Sequence, residues 1–221
     1  MEDEAVRLLD SGRLRRAERV LKRLLANDPN SLTAHFQLAL VYWRTEEYKC
    51  ALFHARRTLK LNPKETNAAL NLGLIYDTMG RDKLANFYYK KELSRNPDSG
   101  ETLFNIGRLY FRKHQWLRAS QYLLHCFDVG NLYMVEDTVY KLGDCYYELR
   151  DLQSYIDILI RYLKMVPNAS WAAANLGCAL LRVKDYKGAV QWLSRANKLG
   201  VRNSVAVELA QAKKMLTKQA I

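Results

Sequence analysis

Proline is scarce in this chain. The four that occur, Pro29, Pro63, Pro97 and Pro167, are too few for a polyproline linker or a disordered tail, and only ten glycines punctuate 221 residues. Low proline and glycine beside abundant Leu, Ala, Lys and Arg point to an all-helical chain. Cysteine is as sparse. Cys50, Cys126, Cys145 and Cys178 form no Cys-x-x-Cys pair and fall within helical patterns, so they are expected as reduced packing groups. His35, His54, His114 and His125 lack any paired ligand spacing, and neither a metal nor another cofactor is expected. No apolar run approaches the roughly 20 residues that span a bilayer. The opening MEDEAVRLLDSG is acidic and lacks the basic-then-apolar order of an export signal. The expected compartment is the cytoplasm. No nucleophile–base pair and no Gly-rich phosphate loop is present, so an enzyme is not expected. Acid is also in deficit. Against 35 Lys and Arg stand 23 Asp and Glu, a net +12, which admits an anionic partner.

What the chain does have is a beat. Pro29, Pro63 and Pro97 lie 34 residues apart, and Pro167 arrives two residues late on the same count. Ala39, Gly73, Gly107, Gly143 and Gly177 follow at intervals of 34, 34, 36 and 34. Tyr42, Tyr76, Tyr110 and Tyr146 each come three residues after the first four of these. Ala17, Ala51, Ala85, Ala119 and Ala189 form another ladder, broken only by Tyr155. Within one unit, Leu72, Gly73 and Tyr76 share a face of a first helix, and Ala85, Tyr89 and Leu93 mark the facing stripe of a second. Gly73 and Ala85 are small where two helices must come close. Gly80 ends the first helix, and Pro97 blocks continuation of the second. Such a hairpin cannot bury its apolar face alone, so units must stack.

These ladders, sharing one phase over essentially the whole chain, resemble the tetratricopeptide repeat (TPR). The resemblance implies an all-α fold, a right-handed α-solenoid of stacked helix-turn-helix hairpins forming one domain over 1–221. Counted in that phase, 1–31 is a partial repeat with helices near 2–10 and 14–27. Full repeats run 32–65, 66–99, 100–133, 136–169 and 170–203. Residues 204–221 form a capping helix with Val205, Leu209, Ala212 and Leu216 on its apolar stripe and Glu208, Lys213, Lys214 and Lys218 opposite. Two departures stand out. Repeat 100–133 has Asn131 where proline is due and is followed by a two-residue insertion. Repeat 136–169 places Tyr155 and Tyr162 at normally small positions, where overpacking costs about 1–3 kcal/mol unless the backbone adjusts. The result is either a kink that shapes a partner site or harmless drift. Glu92, at another small position, is expected to reach solvent with its carboxylate.

The same resemblance implies that the first helices line a concave inner surface. On their side away from the core stripe, this sequence carries rings and aliphatics where an ordinary surface helix is charged. The candidate peptide groove comprises Phe36, Gln37, Leu40, Trp43, Leu70, Asn71, Leu74, Phe104, Asn105, Arg108, Phe111, Arg112, Tyr140, Lys141 and Asn175. Its amides offer a donor and an acceptor to an extended backbone, and a contiguous apolar patch from Phe36 to Leu74 would mark a partner surface. The competing reading is that these rings pack against the neighbouring first helix. A carboxylate clamp of the kind some TPR domains use is not expected, because only Asn71 matches its pattern. Basic residues gather instead on second helices, with the densest run at Arg13, Arg15, Arg16, Arg19, Lys22 and Arg23. The leading expectation is therefore a protein-binding adaptor, scaffold or chaperone-like module that takes a partly apolar, extended peptide. A solenoid binding nucleic acid or an acidic partner through the basic convex face is the second reading. A self-associating structural scaffold is the third.

Overall fold

The computed structural model describes residues 2–63, 66–130 and 134–219. Among them are thirteen α-helices and no strand, so the all-α fold of helix hairpins read from the period holds. The chain divides into two compact units, Met1–Leu109 and Tyr110–Ile221. The first contains α1 (Glu2–Asp10), α2 (Leu14–Asn27), α3 (Leu32–Arg44), α4 (Tyr48–Leu61), α5 (Thr66–Thr78), α6 (Asp82–Leu93) and most of α7 (Gly100–Arg112). The second contains the end of α7, then α8 (Trp116–Asp128), α9 (Val135–Glu148), α10 (Leu152–Met165), α11 (Ser170–Arg182), α12 (Tyr186–Lys198) and α13 (Arg202–Gln219). Asn131 and the residues just after it lie outside the described residues.

In the first unit α1 packs on α2, α3 on α4 and α5 on α6, while α2 meets α3 and α4 meets α5. In the second, contacts run α8 to α9 and onward in order to α13. The alanine ladder is what lets the hairpins close. Ala17, Ala51, Ala85, Ala119 and Ala189 are all fully buried. Glycine matters where the partner is bulky. A Cβ built on Gly73 would lie 2.4 Å from the Tyr89 ring, and one on Gly177 would lie 2.6 Å from Leu193 Cγ and 3.0 Å from its backbone nitrogen. Where the corresponding residue is Ala39, the residue sixteen later is Ala55 instead of a Tyr or Leu. Glycine therefore stands where the partner is Tyr or Leu, and alanine where the partner is itself small.

The tyrosine ladder gains a partner that the sequence reading did not supply. Tyr42 stacks on His54 at 5.5 Å, Tyr76 on Tyr88 at 5.6 Å and Tyr110 on Tyr122 at 5.6 Å, each ring twelve residues beyond its tyrosine. The turn inside each hairpin also recurs. Glu46, Gly80, His114, Arg150 and Lys184 occupy one register position and all have positive φ, between 54° and 68°. Only Gly80 adopts that left-handed conformation without a Cβ penalty.

Two expectations fail on burial. Glu92 is buried at 1% exposure, not turned to solvent. Cys50 is exposed on α4, whereas Cys126 and Cys145 are buried and Cys178 is half-buried; all four are free thiols. Within the cap, Val205 and Ala212 are buried, and Leu209 and Leu216 are half-buried.

A histidine pair closes the α3–α4 hairpin. His35 Nε2 lies 3.1 Å from the Pro29 carbonyl and must donate to it, so its Nδ1 accepts from His54 Nδ1 at 2.8 Å. Burial, the nearby His35 and then Lys22 push the His54 pKa down from 6.5 to about 4. The unfolded chain therefore binds this proton before the folded one does. Stability should be flat above pH 6.5 and fall as pH drops from 6.5 to about 4, by at most about 3 kcal/mol for a half-buried ring. Urea melts across that window should show a slope that flattens in His54→Leu. An unchanged slope in the variant would contradict the assignment. Two substitutions test the packing. Gly73→Ala should cost about 1–3 kcal/mol by forcing the Tyr89 ring aside. Lys184→Gly should stabilise by about 1 kcal/mol by relieving the left-handed strain.

Candidate functional site

In the first unit, the residues expected to form an open groove divide by burial. Phe36, Gln37, Leu40 and Trp43 on α3 and Leu74 on α5 are half-buried. Leu70 and Asn71 on α5 and Phe104 and Asn105 on α7 are buried, at 4–7% exposure. These four present no open surface, so the continuous exposed patch suggested by the sequence does not form. The physical reason is the stacking itself: first helices of successive hairpins lean on one another, as α3 does on α5.

Polar groups here are occupied in the same way. Trp43 Nε1 donates to Thr78 Oγ1 at 2.8 Å, which ties α3 to α5. Arg108 Nη2 meets Asp77 Oδ2 at 2.7 Å, an ion pair in which the Asp77 side chain is only 2% exposed. Arg108 thus neutralises a buried carboxylate and is already committed. What remains open beside Phe36 is a cleft of about 230 Å³ lined by Leu32, Thr33, Phe36, Thr58 and Asn67.

The second unit is more open. Tyr140, 44% exposed, stacks on Trp171 of α11 at 3.9 Å. Lys141 Nζ sits 5.2 Å above the Phe111 ring, and Arg112 is exposed. One turn beyond Asp144, Tyr147 is 56% exposed and carries the Arg182 guanidinium 5.4 Å over its ring. Tyr147 and Arg182, with Glu148, Arg150 and Leu152, line a cleft of about 530 Å³. A smaller adjoining cleft of about 190 Å³ runs inward past Tyr155, Asn175, Cys178 and Ala179. Of the fifteen groove residues read from sequence, only Asn175 lines this site. Tyr147, Tyr155, Cys178 and Arg182 were not among them, although Tyr147 and Cys178 lie on the sides of α9 and α11 away from the core stripe.

Tyr155 is what opens the space. Its ring lies against Gly143, where a Cβ would sit 2.8 Å away, and it stands at the position that other hairpins fill with alanine. α9 and α10 accordingly approach each other over a shorter stretch than α11 and α12 do. Burial, followed by nearby Asp144, raises the Tyr155 phenol to about 12. Burial also raises the Cys178 thiol, with Glu208 adding and Arg182 opposing. Both groups are neutral near pH 7. The cleft is an aromatic and aliphatic recess with a neutral floor, with charge only at its mouth. Among the described residues, no three His, Cys, Asp or Glu side chains gather as metal ligands, and no helix is long and apolar enough to cross a membrane.

Models described as tetratricopeptide repeat match residues 2–52, 66–99 and 137–169. The chain belongs to the tetratricopeptide repeat family. Among solved structures it is similar to the C-terminal part of a TPR repeat-containing protein from Cytophaga hutchinsonii. That match has 19% identity, covers 91% of this chain and 80% of the other, and has a TM-score of 0.73. It is also similar to YrrB, described as a TPR protein with an unusual peptide-binding site, at 16% identity over 86% of this chain and 97% of that one, with a TM-score of 0.63. The Naa15/Naa10 complex bound to HypK-THB aligns with 99% of this TPR chain, which spans 34% of its counterpart, at 18% identity and a TM-score of 0.59. At these identities the likeness concerns the fold. No curated protein matches the sequence.

The thiols of this TPR protein report on the cleft directly. Cys50 should react first with a neutral maleimide, and Cys178 should react more slowly because it is half-buried and held as a thiol. Cys126 and Cys145 should react only on unfolding. Mass spectrometry of partially labelled protein measures the order. A Cys178 as reactive as Cys50 would contradict the described packing of the inner cleft.

Proposed function

We propose that this TPR protein is a non-enzymatic adaptor or scaffold that binds an extended, partly apolar peptide segment of a protein partner along its first helices. The main anchor in this reading is the cleft of the second unit. The carrying observation is Tyr147, more than half exposed over a recess that Tyr155 holds open. An aromatic that projects beside an apolar pocket loses surface only when something fills the pocket, and such anchors dominate binding energies. Asn175 on the pocket wall can meet a peptide amide, and Arg150 and Arg182 at the mouth can meet a carbonyl or carboxylate. Tyr140, Lys141, Phe111 and Arg112 extend the surface along the same unit. The half-buried Phe36, Gln37, Leu40, Trp43 and Leu74 offer a shallower contact on the first unit.

YrrB, named for its peptide-binding site, and the Naa15/Naa10 assembly support the class of function by fold alone. Peptides selected from a displayed library on the intact chain provide the test. Tyr147→Ala should weaken them by roughly 2 kcal/mol, and Arg182→Ala should weaken them by about 1 kcal/mol. Trp43→Ala should change binding little while lowering stability, because its indole is tied to Thr78. Selected peptides indifferent to both Tyr147→Ala and Arg182→Ala would overturn the proposal.

A further inference from the structure

The basic run on α2 divides into two faces with different chemistry. On one, Glu18 gathers cations: Lys22 Nζ at 2.8 Å and Arg15 Nη1 at 3.3 Å, while Tyr42 donates its hydroxyl at 3.0 Å. Arg15 also reaches Glu47 at 3.4 Å. That face is neutralised within the fold. On the other, Arg13, Arg16, Arg19 and Arg23 are exposed and form no ion pair among the described residues. They converge on one cleft of about 490 Å³, shared with Leu8 and Val20, whose single acidic wall residue is Glu4 of α1.

We propose that this cleft is a second docking site, separate from the peptide cleft, and that it takes an acidic segment of a protein partner. Four unpaired guanidiniums around one recess repel each other, and an anion relieves that cost while accepting forked hydrogen bonds. Arg16, Arg19 and Arg23 share a helix face and span about 10 Å along α2. Carboxylates on alternate residues of an extended chain recur about every 7 Å, so two successive ones fit within this length. Half-buried Leu8 and Val20 give an apolar side chain of the partner a place between the charges. Nucleic acid fits less well. The cleft contains no aromatic ring on which a base could stack. A lipid surface fits less well because both apolar residues of the cleft are half-buried.

Fluorescence anisotropy with a fluorescein-labelled peptide of alternating glutamate and serine, one serine replaced by leucine, tests the site on the full chain. Arg16→Gln/Arg19→Gln/Arg23→Gln should weaken binding roughly tenfold or more. Lys83→Gln/Lys90→Gln/Lys91→Gln removes the same charge from α6 and should leave affinity within about twofold. Circular dichroism should show both proteins equally helical. If the arginine triple variant loses helicity, the single variants Arg16→Gln and Arg23→Gln carry the same test. Equal loss in the lysine control would overturn the site in favour of diffuse charge. Tighter binding of oligothymidylate, or of vesicles containing phosphatidylserine, than of the peptide would also overturn it, as would the absence of peptide binding.

Discussion

Everything in this fold depends on two helices approaching at a place where one of them has almost no side chain. Gly73 admits the Tyr89 ring at a distance no Cβ would tolerate, and Gly177 admits Leu193 with its backbone close behind. The alanine ladder does the same work from the second helix, each member fully buried. Because close approach buries the stripe between the helices, the remaining apolar faces can be covered only by the next hairpin. The period, the small residues and the stacking are thus one constraint seen at three scales.

The candidate site arises where that constraint is broken. In the α9–α10 hairpin the alanine is replaced by Tyr155, whose ring takes the space beside Gly143. That ring also lines a recess with Asn175, Cys178 and Ala179. Tyr147 and Arg182 then meet across α9 and α11 over that recess. A residue that would cost stability in a regular repeat borders a recess in this one.

Charge follows a related economy. Two acids are surrounded: Asp77 by Arg108, and Glu18 by Lys22, Arg15 and Tyr42. With 35 basic residues and 23 acidic ones, some cations must go without, and Arg13 at the N-cap of α2 and three arginines on α2 line the same cleft. The excess is therefore focused, which gives it a local meaning that net charge alone does not have.

The helices themselves were legible in the sequence. The partial first repeat was expected at 2–10 and 14–27, and α1 and α2 occupy Glu2–Asp10 and Leu14–Asn27. Local periodicity, turn glycines and the proline beat suffice for that, because each acts within one hairpin. The side of each first helix away from its core stripe was also readable at 100° per residue. Burial on that face was not. Leu70, Asn71, Phe104 and Asn105 point the same way along their helices as Phe36 and Gln37, yet they are covered, because exposure there is set by how closely the next first helix leans in. Likewise Glu18 lies one turn from Arg15 and is a local partner, whereas Glu47 is brought to it only by packing. Distances between residues far apart in the chain are created only by packing, so the sequence determined the repeat and the tertiary structure decided which of its side chains remain free to bind.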